Sequence, residues 1–427
     1  MATTDRHPQR RTRCARAFAA GAALALAAPL AACGSDEGGA TVLNLYQFPV
    51  EHMQDVVDRC NQEAAGKYKI VYQVLPRTAD DQRVQMVRRL AAKDDSMDIL
   101  GMDVTWTQEF ASANWIREFT GQDRSEVENG TLEGPLASAE YNGKLYAAPN
   151  NTNVQLLWYR KDLVPEPPKT WAEMIQMSQQ LKSEGKPYQV LTMGAQYEGL
   201  VVLFNSLVAS AGGHVVSDDG KTAVMDAGAV KALETLKSFA TAGVTSPSFS
   251  NAIEDDVRLA FQGGNAAFEL NWPYVWASMQ SDAPDVAKNV AWARYPGIDA
   301  NTPSVTTIGG SNMAVSSFSK HPDLAFEAVR CLRGPESQKI FAVEAGQAPS
   351  IESVYNDPEM DTAYPMKATL LEELKTSAPR PRTPAYQNLS TVVAAELSPP
   401  ASIDPERTAA DLKKSIQAAL DSKGVLP

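Results

Sequence analysis

Residues 69–103 read KIVYQVLPRTADDQRVQMVRRLAAKDDSMDILGMD. The hydrophobic period changes twice along this stretch. Lys69–Leu75 alternates and carries β-branched residues, which predicts a strand. Asp80–Lys93 places Val84, Val87, Leu90 and Ala91 at helical spacing, which predicts an amphipathic helix. Met97–Met102 is again a short apolar run, ending at Asp103. Upstream, Thr41–Gln47 (TVLNLYQ) predicts a strand and Gln54–Cys60 a helix. Strand, helix, strand, helix, strand implies a parallel sheet with helical crossovers. Ligands of such sheets sit beyond the carboxyl ends of the strands, and Asp103 is at one of those ends.

The chain continues in the same style. Lys144–Pro149 predicts a strand leaving this unit, and Gln155–Tyr159 a strand entering another. Asn150-Asn151-Thr152-Asn153 lies between them as a first crossing. Thr170 can cap a helix over Thr170–Glu184. Further helices are expected at Gly199–Ala211, Ala227–Ala242, Glu254–Phe261 and Pro322–Cys331, with a strand at Ala266–Asn271. Pro303–Ser316 carries a second crossing, marked by Gly309-Gly310.

The first 32 residues carry a separate message. Arg6, Arg10, Arg11, Arg13 and Arg16 precede an alanine-rich apolar run, and LAAC ends at Cys33. A basic head, a short apolar core and small residues before the cut describe a secretory signal peptide. LAAC followed by Gly34 resembles the bacterial lipobox, which would make Cys33 a lipidated N-terminus on the outer face of the cytoplasmic membrane. Residues 33–40 then form a polar, glycine-rich tether. The whole chain has a net charge of −12, and without the leader's five arginines and one aspartate it is −16. Bulk electrostatics therefore exclude nucleic acid as a partner. Cys60 and Cys331 remain for the exported chain. An oxidising compartment makes a disulfide between them the economical expectation, with two buried free thiols as the alternative.

Enzyme signatures are missing. His7, His52, His214 and His321 are scattered, with no HExxH or zinc-type pairing, and no metal site or cofactor is expected. GxSxG, GxxxxGK[ST] and GxGxxG do not occur. A glycoside hydrolase using two of Asp103, Glu254 and Glu269 stays open, because acids are plentiful. So does a purely structural envelope protein.

The positive signal is FELNWPYVW at 268–276, with four aromatic residues in nine where the chain averages 7%. Sugar rings stack their C–H faces on indoles and offer hydroxyls to carboxylates, amides and guanidinium groups. Asp103, Asn153, Glu254, Trp272 and Arg380 fall at strand ends, crossings or loops. Each has a plain alternative: a loop acid, a turn residue, a helix-start acid, a core tryptophan and a solvated arginine. Pro273 favours a cleft position for Trp272, since it ends the strand there. Phe268 and Leu270 are expected inward, Glu269 and Asn271 toward the rim, with Tyr274 and Trp276 packed behind Trp272.

These features together resemble the solute-binding lipoproteins of bacterial ABC importers for carbohydrates. Eight blocks resemble the mycobacterial trehalose-binding lipoproteins in particular: LPRTADDQRVQMVRRL (75–90), MDVTWTQEFA (102–111), KLYAAPNNTNVQLLWYR (144–160), EGLVVLFNSLVASAGG (198–213), RLAFQGGNAAFELNWPYVWASM (258–279), TIGGSNMAV (307–315), AFEAVRCLR (325–333) and PRPRTPAYQ (379–387). The resemblance implies an α/β, two-lobed periplasmic-binding-protein-like fold of type II. Residues 41–150 plus 308–345 would form the N-terminal lobe, and 153–306 plus 346–427 the C-terminal lobe. It implies no catalysis, a disaccharide ligand with trehalose favoured over a maltose-type glucoside, permease subunits as partners and a monomeric chain. Asp103 and Asn153 would bond sugar hydroxyls. Glu254 matches a family acid, Trp272 would stack under a glucose ring, and Gly310 would offer backbone groups. Arg380 would donate a forked pair, and the family's cysteine pair matches Cys60 and Cys331. Asn150-Asn151 and the short segment between Trp292 and Thr306 depart from the family pattern beside the expected cleft.

Overall fold

The computed structural model describes residues 39–423, so the leader and Cys33 lie outside the described residues. The first sheet is ordered β2–β1–β3–β11–β6. Strands β1 (Thr41–Gln47), β2 (Tyr68–Val74) and β3 (Ile99–Asp103) run parallel, in the register Leu43↔Ile70 and Leu45↔Ile99. A small hairpin, β4 (Glu140–Tyr141) and β5 (Lys144–Leu145), precedes β6 (Ala148–Asn153). Strand β11 (Gly309–Val315) returns from late in the chain and lies antiparallel between β3 and β6. Leu43, Leu45, Ile70, Ile99, Met313 and Val315 pack there with residues of the flanking helices.

The helix over Ala79–Ala91 forms as its period demands, but its inner face only partly matches the expected one: Leu90 and Val87 pack on the core, whereas Val84 and Ala91 are exposed. Gln82, Met86 and Leu90, at i+4 spacing, face the sheet, while Val84 is 39% exposed. Valine counts as apolar in a pattern, but the longer methionine and leucine fill the space against the strands.

The second sheet is ordered β10–β7–β9–β8. It contains β7 (Leu156–Arg160), β8 (Gln189–Leu191), β9 (Ala266–Asn271) and β10 (Val290–Ala293). Both faces are covered. Leu157, Phe268 and Leu270 join a core with Leu203, Phe204 and Phe239. Leu156 and Trp158 face the opposite way, toward Phe261, Met279 and Tyr364. Burial on two faces explains the unbroken LLWY run, since successive side chains of a strand alternate between faces. The helix Glu198–Ser210 is buried almost throughout. Thr170 closes a capping box with Glu173 at the start of the helix Trp171–Ser183, with each residue's backbone N–H bonded by the other's side chain.

The chain leaves the first sheet at Asn153 and enters the second at Leu156, and it returns between Ala293 and Gly309. The asparagine run expected between strands, as a crossing, is itself strand, and the crossing follows it. Asn150, Asn151 and Thr152 are each under 5% exposed and belong to β6. Intrinsic propensity disfavours asparagine in strands. Here Asn151 Oδ1 accepts from Ser311 N (2.7 Å) and Ser311 Oγ (2.8 Å), while its Nδ2 donates to Gln347 Oε1 (2.7 Å). These partners, supplied by distant segments, hold the run extended.

Cys60 and Cys331 form a disulfide that joins the helices Met53–Glu63 and Pro322–Leu332 across 271 positions. Replacing both cysteines with serine is expected to lower stability by about 2–4 kcal/mol, by releasing a long loop in the unfolded chain. Thermal unfolding of the double variant measures this, and an unchanged midpoint contradicts it.

Candidate functional site

One cavity of about 680 Å³ opens where the two sheets meet, and Asp103, Asn153, Glu254, Trp272, Gly310 and Arg380 all line it. Their positions follow from the elements. Asp103 is the last residue of β3 and Asn153 the last of β6. Glu254 starts the helix Glu254–Gln262, and Trp272 follows β9 directly. Gly310 lies in β11 opposite Thr152, next to the Ser311↔Asp103 pair. Its φ of +127° is open only to glycine without strain, and a Cβ there would stand 2.6 Å from Asn151 O.

The charged floor is built around Arg380, whose side chain is only 2% exposed. Its Nη2 donates to Asp103 Oδ1 (3.1 Å), and its Nη1 to Glu198 Oε1 (2.5 Å). Burial works against the charged guanidinium, but Asp103, Tyr386 and Glu198 outweigh it and raise its pKa. Arg380 therefore keeps its charge, as a buried cation with opposed carboxylates does. Asp103 Oδ1 also accepts from Thr105 N (2.9 Å) and Thr105 Oγ1 (2.7 Å). That turn fixes the carboxylate at the strand end.

The aromatic wall is Trp272. Its backbone N–H donates to Asn271 Oδ1 (2.8 Å), and Asn271 Nδ2 donates to Glu254 O (3.1 Å) and Glu269 Oε1 (2.8 Å). One asparagine thus ties the start of the Glu254 helix to the tryptophan. The indole lies against Gly309. A Cβ on Gly309 would be 2.4 Å from Asn153 Oδ1 and 2.8 Å from Trp272 Cη2. Glu254 Oε2 accepts from Tyr197 Oη (2.6 Å), and burial raises the Glu254 pKa.

Three expectations for FELNWPYVW need correction, those for Glu269, Asn271 and Tyr274. Glu269 and Asn271 do not reach the rim; both are fully buried, because the face they share is covered by helices. Burial pushes the Glu269 carboxyl up to about 8, and it does not line the cavity, which removes it from any pair of catalytic acids there. Tyr274 is not behind Trp272 but lines the cavity, donating to Asp255 Oδ1 (3.2 Å). Trp276 packs on Trp158 and Trp292, with ring centroids 6.4 Å and 5.2 Å away.

Glu198 and Tyr197 also line the cavity and were missed in the sequence, and Asn151, expected only beside the cleft, lines it too. Glu198 offered a signal: an acid at the start of a helix apolar on every side must be buried and therefore partnered. Starting that helix at Gly199 hid it. Tyr197 carried no local pattern.

Residues 50–339 match the family described as bacterial extracellular solute-binding protein. A probable ABC transporter-binding protein of Deinococcus radiodurans is 30% identical over 328 residues, 72% of this chain and 75% of that protein. The galactooligosaccharide-binding protein of Bacillus subtilis is 23% identical over 411 residues, 89% of this chain and 93% of that protein. Maltose-bound MalE3 of T. maritima has a TM-score of 0.81 at 27% identity, covering 88% of this chain and 99% of that one. The GacH receptor of Streptomyces glaucescens shares the fold at a TM-score of 0.78 and 19% identity, over 90% of this chain and 100% of that one. The architecture is the two-lobed binding-protein fold, and the chain belongs to the bacterial extracellular solute-binding protein family.

Proposed function

We propose that this chain captures a disaccharide, trehalose before others, in the cavity between the sheets and delivers it to an ABC importer. The carrying observation is the lining itself: the Trp272 indole beside carboxylates such as Asp103, Glu198 and Glu254, the amides of Asn151 and Asn153 and the Arg380 guanidinium in one cavity of about 680 Å³. Cavities of this size suit a ligand of two rings. The indole supplies a flat apolar face, and the carboxylates and amides supply partners for hydroxyls. A ligand lacking a hydroxyl leaves one of these buried groups unpaired, which is the source of selectivity. The names of the Bacillus and Thermotoga relatives, which concern a galactooligosaccharide and maltose, support a saccharide.

In this proposal residues 41–150 with 308–345 and residues 153–306 with 346–427 close on the sugar as two bodies. The signal peptide over 1–32 is removed, Cys33 holds the monomeric chain to the outer face of the membrane by lipid, and permease subunits receive the ligand. No bond in the sugar is broken.

Calorimetric titration of the purified chain with trehalose, maltose and other glucosides tests the proposal. Heat with trehalose is expected, together with no free glucose on prolonged incubation. The maltose-bound Thermotoga relative makes a maltose-type glucoside the second reading. Binding of maltose without trehalose would assign it, and glucose release would replace binding by hydrolysis. Gly309→Ala is expected to weaken the same titration about tenfold to hundredfold. Its new methyl must displace Asn153 or Trp272, and forced accommodation costs about 1–3 kcal/mol. An unaltered affinity would show that neither side chain touches ligand.

A further inference from the structure

Arg380 is held from two sides by carboxylates of different sheets. Asp103 ends a strand of the first sheet, while Glu198 starts a helix packed in the core of the second. Glu198 is itself fully engaged. Its Oε1 accepts from Arg380 Nη1 (2.5 Å) and Tyr386 Oη (2.6 Å), and its Oε2 accepts from Ser390 Oγ. Tyr386 and Ser390 stand four residues apart on the helix Tyr386–Leu397, so both hydroxyls come from one face of a rigid element. The Tyr386 ring also lies under Arg380, with Cζ 5.9 Å from its centroid.

We infer that Glu198 is a positioning residue of the binding site: it fixes the plane of the Arg380 guanidinium and keeps Asp103 available to ligand. The argument is one of donors and acceptors. A guanidinium has five N–H groups in a rigid fork. Glu198 takes one from Nη1 and Asp103 takes one from Nη2, so the remaining Nη hydrogens are set in direction by these two bonds. Asp103 Oδ1 is already occupied by Thr105 and Arg380, whereas Oδ2 forms no hydrogen bond to the described residues. If Glu198 lost its charge, Asp103 would be the only carboxylate left on a buried cation. The guanidinium would then turn toward both Asp103 oxygens, the bidentate geometry it prefers, and Oδ2 would be withdrawn from the cavity. Glu198 thus acts through Arg380 and needs no contact with ligand for this role.

The affinity part of the test rests on the saccharide proposal; the spectroscopic part does not. Glu198→Gln keeps the shape and one acceptor but removes the charge, and Glu198→Asp keeps the charge. With trehalose or maltose as titrant, whichever the wild type binds, Glu198→Gln is expected to weaken affinity at least tenfold and Glu198→Asp to recover most of it. In an Arg380→Lys background, Glu198→Gln should change affinity less than twofold, since there is no guanidinium left to orient. In ¹⁵N-arginine NMR of the ligand-free chain, the Arg380 side-chain signals should be separate and slowly exchanging in the wild type and should shift or average in Glu198→Gln. Wild-type affinity and unchanged Arg380 signals in Glu198→Gln would overturn the inference. So would an equal loss of affinity in the Arg380→Lys background, which would mean that Glu198 acts independently. If the wild type binds none of the saccharides, the functional proposal fails and the Arg380 signals alone decide whether Glu198 orients the guanidinium. If Glu198→Gln does not fold, Glu198→Asp decides by retaining or losing the wild-type Arg380 signals and affinity.

Discussion

Replacing Trp272 with alanine is expected to cost about hundredfold in saccharide affinity and to move the thermal midpoint by only a few degrees. The two effects separate because of where the ring sits. Trp272 is partly exposed in the cavity and belongs to none of the three buried apolar clusters. Its position is set by the backbone bond to Asn271 and by contact with Gly309, neither of which needs the indole to hold the fold. In the proposed binding mode, deleting it removes a platform for a sugar face. A buried aromatic anchor in a binding site is worth about 2–4 kcal/mol, which corresponds to the stated loss. Trp158 is the internal control. It is fully buried, its Nε1 donates to Asn271 O (3.1 Å), and it stacks with Trp276. Trp158→Ala should lose about 3–5 kcal/mol of stability by leaving a cavity. Calorimetric titration and differential scanning calorimetry on both variants make the comparison. A Trp272→Ala protein that melts as early as Trp158→Ala would return Trp272 to the core.

The contrast between these tryptophans also shows what was legible in the sequence. Period and punctuation are local, and they located the elements well: β9 runs over Ala266–Asn271 as expected, and Pro273 separates it from the helix Tyr274–Asp282. The six candidate residues share one cavity because strand ends and helix starts converge at the edge where two sheets meet. Direction and partnership are not local. Glu269 and Asn271 look like solvent-facing positions of an alternating strand, yet helices cover that face. Asn150–Asn153 looks like a crossing between strands until Ser311 and Gln347 supply its hydrogen bonds. Glu198 required knowing that Arg380, 182 positions later, would arrive beside it. Val84 required knowing which side of its helix the sheet occupied. In each case the deciding group comes from a distant segment, and no window of sequence contains both partners.

Glu269→Gln is expected to leave stability near pH 5 almost unchanged and to raise it on the order of 4 kcal/mol above the wild type at pH 9. Glu269 is fully buried, and burial pushes its carboxyl from an ordinary 4.5 up to about 8, against weaker lowering by Asn271 and Arg258. Below pH 4.5 the acid is protonated in both folded and unfolded chains, so pH has no leverage through it. Between 4.5 and about 8 the unfolded chain gives up the proton while the folded chain keeps it. The folded state then binds more protons, so stability falls as pH rises, by about 1.4 kcal/mol per pH unit, and levels off above the folded pKa. Glutamine mimics the protonated acid and does not titrate, so it removes this slope. The hydrogen bond from Asn271 Nδ2 can still reach the amide oxygen, and the position of Oε2, which has no partner among the described residues, takes the amide nitrogen. Glu254 and Glu373 are also raised by burial and contribute slopes of the same sign, so the wild type alone would not isolate Glu269. The difference between wild type and variant does, because those groups are common to both. Urea unfolding of the two proteins at pH 5, 7 and 9 measures it. Curves that stay parallel across this range would mean that Glu269 is ionised in the folded protein. Arg258 would then be its counter-charge, and the link from Asn271 to Trp272 would rest on a carboxylate rather than a neutral acid.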